Sequence, residues 1–90
     1  MVLHSPMHLI LYSKSGCHLC EALLEKLEKI ESIDLTLEVR DIVQNREWLN
    51  TYQYEVPVLY LSKEDEHIQL PRTSPRLNIT QLEQFLTKYL

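Results

Sequence analysis

Tyr12-Ser13-Lys14-Ser15-Gly16-Cys17-His18-Leu19-Cys20 holds both cysteines of the chain and the point at which its apolar pattern changes period. Before it, His8-Leu9-Ile10-Leu11-Tyr12 is a near-continuous apolar run, the mark of a strand buried on both faces. After it, Leu19, Leu23, Leu27 and Ile30 recur on one helical stripe, widened by Ala22 and Leu24, while Glu21, Glu25, Glu28 and Lys29 take the other faces. This spacing predicts an amphipathic helix over about 17–31. The two thiols therefore fall at a strand-to-helix junction. Cysteines at i and i+3 near a helix start can close a small disulfide ring. The first of them lies where unpaired backbone N–H groups and the positive end of the helix dipole stabilise a thiolate. Thiol–disulfide exchange requires that arrangement.

Outward from this junction, Leu35, Leu37 and Val39 alternate with Thr36, Glu38 and Arg40, which predicts a second strand closed by Asp41-Ile42. Glu47 to about Tyr52 reads as a short helix with Asn45 as its N-cap. Val56-Pro57-Val58-Leu59-Tyr60-Leu61 reads as a third strand, its proline near the first position, where a missing N–H does least harm. The polar stretch Ser62 to His67 is expected to turn, and Ile68-Gln69-Leu70 to return as a short edge strand. Pro71 to Pro75 is a surface loop. Asn78 or Thr80 then caps a last helix whose Ile79, Leu82, Phe85, Leu86 and Tyr89 share a face. The order is β-α-β-α-β-β-α. A strand–helix–strand start demands a parallel pair with a right-handed crossover, and the later hairpin adds antiparallel strands.

Composition bounds what such a site can belong to. Ninety residues, 44% of them apolar, make a single domain, 1–90, with one modest core. The formal charge is −4, from nine Lys and Arg against thirteen Asp and Glu, which argues against nucleic acid as a partner. Met1 to Ser13 lacks a basic leader and a small-residue cleavage site, and reads as a frayed start followed by a strand. No stretch reaches the roughly 20 apolar residues of a membrane span, so a soluble, cytoplasmic protein without a membrane partner is expected. A reducing compartment suits a reversible dithiol better than a structural staple. His4, His8 and His67 lack metal-ligand spacing and read as surface or strand residues. Trp48 reads as core or partial cover.

The stretch Tyr12 to Cys20, followed some forty positions later by Val56-Pro57, resembles a glutaredoxin of the thioredoxin fold. More narrowly, it resembles the short bacterial glutaredoxin-like proteins with a Gly-Cys-His-Leu-Cys motif. The similarity spans nearly the whole chain. It implies a thioredoxin-like α/β fold: a four-stranded mixed sheet in the order 2-1-3-4 with helices on both faces.

The function implied is that of a dithiol oxidoreductase acting on disulfide-bonded proteins or glutathione mixed disulfides, with no bound cofactor and glutathione as a candidate co-substrate. A monomer is expected. Cys17, nearest the helix N-terminus, should be the more exposed thiol and the nucleophile; Cys20, a turn further in, would resolve the mixed disulfide. His18, where glutaredoxins commonly carry proline, either stabilises the Cys17 thiolate as a cation or points to water. Lys14 matches a position that assists the thiolate and contacts glutathione. In the resembling fold the Val56–Pro57 bond is cis, lies against the dithiol and leaves the Val56 backbone free to pair with a substrate. The chain departs from the pattern after the fourth strand. Glutathione-using members carry a Gly-Gly turn and an acidic residue there, whereas this chain reads Leu70-Pro71-Arg72-Thr73-Ser74-Pro75-Arg76. Arg72, Thr73 and Arg76 stand either as other anion contacts or as an exposed basic loop. Three alternatives remain beside exchange chemistry: a structural cysteine pair, a metal or iron–sulfur carrier drawing ligands from outside the pair, and a redox-inert adaptor.

Overall fold

Strand β1 (Met7–Ser13) is hydrogen-bonded along both edges and organises the protein around itself. The computed structural model describes residues 6–90; the His4 reading and the frayed start at residues 1–5 lie outside the described residues. β1 pairs in parallel with β2 (Leu35–Asp41) and antiparallel with β3 (Val58–Lys63), which pairs antiparallel with β4 (Glu66–Gln69). The sheet order is β2-β1-β3-β4, as the resemblance implies. The helices are α1 (His18–Glu28), α2 (Arg46–Tyr52) and α3 (Ile79–Thr87), with a 3₁₀ turn at Ile42–Gln44.

Side chains alternate across the sheet and divide the core in two. Leu9 and Leu11 of β1, with Leu59 and Leu61 of β3, face α1 and α3 and pack with Leu27, Ile30, Ile33, Leu82 and Leu86. Ile10 and Tyr12 face the other way, where Ile42, Val58, Trp48, Leu49 and Tyr52 cover them. This second layer is aromatic. Tyr12 stacks 4.4 Å from Tyr52 and meets Trp48 edge-on at 5.7 Å, while the Arg40 guanidinium lies over both the Tyr12 and Trp48 rings. Burial, with a 2.8 Å hydrogen bond to Tyr60, pushes the Tyr52 phenol well above its usual range. Trp48 is thus a half-buried cover.

Several element ends differ from the expected ones. α1 stops at Glu28 because Lys29 and Ile30 donate to carbonyls three residues back, a tightened last turn that lets Ile30 and Ile33 fold into the core. β3 begins after Pro57 and runs through Lys63, so the hairpin turns on Glu64-Asp65 alone and β4 starts at Glu66. All four residues of β4 are exposed, and an edge strand with no buried face leaves no apolar alternation to read. Val39, expected on the buried side, is 46% exposed at the open edge of the sheet. The last helix is capped by Asn78, whose side chain accepts from Gln81 N–H while the Gln81 side chain accepts from Asn78 N–H.

Leu86 is fully buried and Asn78 is an exposed cap, so the two should differ in weight. Leu86→Ala is expected to lower unfolding free energy by about 2–5 kcal/mol. Asn78→Ala should lower it by about 1 kcal/mol. Urea unfolding followed by circular dichroism measures both, and comparable losses would contradict this division of the core.

Candidate redox site

The site is built where β1 hands over to α1. Cys17 N–H donates to the Lys14 carbonyl at 3.1 Å and closes a tight turn, with Gly16 at a φ of +84°. That is the left-handed conformation the third residue of a type II turn needs, and glycine adopts it without Cβ strain. The only glycine of the chain therefore sits where the dithiol needs it. Ser15 fastens the same turn from outside, donating to Asp41 Oδ2 at 3.1 Å, while Asp41 Oδ1 accepts Val43 N–H at the end of β2. Asp41 was expected only to close its strand. Its partner lies 26 residues away, a contact that local sequence cannot show.

Cys17 is the N-cap residue of α1, in extended conformation, and its sulfur accepts the backbone N–H of Cys20 at 3.2 Å. The two cysteines are joined as a disulfide, with Cα atoms 5.3 Å apart. Their surroundings differ sharply. Cys20 is fully buried under the helix, whereas Cys17 is only half-buried. An N–H aimed at sulfur and a helix N-terminus both favour the charged form of a thiol, so in the reduced protein these groups act on Cys17.

The other expected site residues sit in different settings. Lys14 is exposed and contributes its carbonyl to the turn. His18 points to water, its side chain 96% exposed and its Nδ1 3.8 Å from Glu21 Oε2. The Val56–Pro57 bond is cis, and Pro57 shares the lining of one groove with Leu19 of α1. The expectation that the Val56 backbone is free needs correction. Its N–H donates to the Tyr52 carbonyl at 3.1 Å, a carbonyl that also accepts Glu55 N–H at 2.9 Å where α2 ends. Among the described residues no group of three His, Cys, Asp or Glu side chains is placed to hold a metal ion.

The groove runs from Leu19 and Leu23 of α1, past Pro57, to the loop formed by residues 70–77, and encloses about 230 Å³. The loop that stands in place of a Gly-Gly turn is tied down on both sides. Arg72 donates to the Glu55 carbonyl at 2.7 Å, and Lys26 donates to the Pro75 carbonyl at 2.9 Å. Sequence reasoning weighed Arg72 as an anion contact and did not find Lys26; the spacing of 49 residues hides that bond.

A buried and a half-buried cysteine at the start of the helix that follows the central strand, with a cis-proline just before β3 of a four-stranded mixed sheet, define a thioredoxin-fold domain with a cysteine pair of Cys-x-x-Cys type. The sequence profile of the glutaredoxin-like domain (DUF836) matches residues 8–87, and the chain belongs to that family. No curated protein sequence matches the chain. Among solved structures, it is similar to a malarial protein (TM-score 0.66, 16% identity, 96% of this chain and 99% of that one). It is also similar to thioredoxin 1 from the thermophilic eubacterium Thermosipho africanus (TM-score 0.63, 20% identity, 92% and 93%). A structural genomics target protein from X. campestris superposes with a TM-score of 0.60 at 22% identity, covering 89% of this chain and 96% of that one. These likenesses establish the fold. Family and cysteine pair together support a redox-type role.

With both thiols reduced, Cys17 should be alkylated first and at lower pH, because it is the half-exposed N-cap while Cys20 is fully buried. Peptide mass mapping under limiting iodoacetamide gives the order directly. Faster labelling of Cys20 would reverse the assignment.

Proposed function

We propose that this protein is a dithiol–disulfide oxidoreductase of glutaredoxin type, working as a cytoplasmic monomer on protein disulfides and glutathione mixed disulfides without a bound cofactor. The observation that carries this reading is the unequal environment of two cysteines one helical turn apart: a half-exposed N-cap and a fully buried partner. The Cys17 thiolate attacks a substrate disulfide, forming a mixed disulfide and expelling one substrate thiolate. Cys20 then attacks the Cys17 sulfur, closes the internal disulfide and releases the second thiol. Two electrons pass from the dithiol to the substrate. In this reading Lys14 and His18, next to Cys17 in sequence, serve the exposed approach to it, Pro57 forms part of the substrate groove, and Val56 offers its carbonyl to a substrate N–H. No helix among the described residues is long and apolar enough to cross a membrane, in keeping with a soluble carrier of electrons. The metal-carrier alternative would need ligands from outside this chain's own cysteine neighbourhood.

Mixed-disulfide trapping tests the two roles. Cys20→Ser should accumulate covalent complexes through Cys17 with an oxidised protein substrate, and Cys17→Ser should accumulate none, as read on non-reducing gels. Equal trapping by both variants would mean that the thiols are interchangeable.

Glutathione-dependent turnover should be slower than in a glutaredoxin that has the Gly-Gly turn. The backbone donors of that turn are absent, and the N-terminus of α3 is filled by its own capping box. Lys14→Ala should reduce it further by about two- to fivefold, the size expected of one exposed charged contact. Turnover matching the reference enzyme, with no effect of Lys14→Ala, would remove Lys14 from the binding site.

A further inference from the structure

We infer that the groove between α1, Pro57 and the 70–77 loop is a specificity site for the peptide segment around a substrate cysteine, taking one apolar side chain with an acidic residue beside it. The inference rests on the exchange chemistry proposed above and names the substrate class of that site.

Size comes first. The groove encloses about 230 Å³. Pockets that engulf a whole drug-sized molecule run to about 300–1,000 Å³, so this one suits a side chain better than an entire small ligand. Its floor and walls are aliphatic: Leu19, Leu23, Pro57, Leu70 and Leu77. Leu19 is 48% exposed on the second residue of α1, an apolar group left in water directly beside the half-exposed cysteine.

Much of the backbone around the groove is already engaged or lacks a donor, leaving the N–H groups of residues 72–74 as its open ones. Val56 N–H is taken by Tyr52 O, Pro71 and Pro75 have no N–H, and Arg76 and Leu77 N–H are taken by Ser74. The rim carries charge instead. Lys26 and Arg72 are held by the neutral carbonyls of Pro75 and Glu55, and among the described residues neither forms an ion pair. Against them the lining has the single carboxylate of Glu55. In a chain of net charge −4, this rim is the complement of an acidic residue. The occupant is accordingly a protein segment: its cysteine at Cys17, its backbone N–H on Val56 O, its apolar side chain in the groove, its carboxylate at the rim.

Pre-reduced protein mixed with symmetrical disulfides of short cysteine peptides, quenched with acid and resolved by chromatography, tests this. Each turnover converts one peptide disulfide to two thiols and the protein dithiol to its disulfide. The peptides carry Leu-Glu, Leu-Gln, Gly-Glu or Gly-Gln next to cysteine, and oxidised glutathione and a small dialkyl disulfide are run beside them. The Leu peptides should be reduced about tenfold faster than the Gly peptides. Leu-Glu should exceed Leu-Gln by a factor of two or more that shrinks in high salt. Leu77→Ser should collapse the Leu-to-Gly ratio and Arg72→Gln the Glu-to-Gln ratio, with folding checked by circular dichroism. The wild-type peptide series decides the matter even where a variant does not fold. Equal rates on all four peptides, or faster reduction of oxidised glutathione than of Leu-Glu, would overturn the specificity site while leaving the oxidoreductase reading intact. Failure to reduce any disulfide, the dialkyl one included, would overturn the oxidoreductase reading itself.

Discussion

Two-sided burial of the central strand is the constraint on which everything else hangs. Leu9, Ile10 and Leu11 of β1 are at most 1% exposed, with Leu9 and Leu11 facing one helical layer and Ile10 the other. Burying each such side chain contributes roughly 1.5–3 kcal/mol, a large share of the few kcal/mol by which a small domain is stable. The strand thereby becomes the fixed rail of the molecule, bonded to β2 on one edge and β3 on the other. Because the dithiol leaves this rail after one tight turn, its position is set by the most deeply buried segment of the fold. A reactive pair on a mobile loop would lack that anchorage.

From the rail, polarity is distributed by short-range geometry. One glycine at positive φ turns the chain so that Cys17 meets the helix N-terminus as its cap. The same turn places Cys20 one turn inside, where packing against the sheet side removes it from water. The two identical side chains thus differ in burial and in which sulfur accepts an N–H. Asp41 adds a tether from β2 through Ser15, so two neighbouring strands locate the turn jointly. Its hydroxyl–carboxylate bond is exposed and worth little in isolation, but it restricts a segment already held at both ends.

What the sequence disclosed and what it concealed divide along the same physical line. β1, the start of α1, the Asn45 and Asn78 caps and the Val-Pro before β3 were legible because each is written in a local signal: a buried run, a period change, a capping residue, a proline. β4 was displaced because none of its residues is buried. The Arg40 guanidinium over Tyr12 and Trp48, the Ser15–Asp41 bond and the Lys26–Pro75 bond were hidden because each joins residues brought together only by tertiary folding. The availability of Val56 was misjudged for a related reason. Whether its N–H is free depends on how α2 ends, and a helix C-terminus whose last carbonyl accepts two donors leaves no mark in the residues themselves.

The departure from a Gly-Gly turn gains its meaning from this packing. Glycines permit close backbone approach; two prolines and two tethering cations do the reverse, filling the space with side chains and fixing the loop in place. The loop that would cradle a small polar ligand through its backbone has become a wall with an aliphatic inner face and a basic edge. Such a wall offers an apolar surface and positive charge rather than a run of backbone donors. The loop leaves the cysteines untouched, since they are held by β1 and α1. In such a layout the two elements lie some fifty residues apart in sequence, so the loop can vary without disturbing the strand-to-helix junction that holds the cysteines.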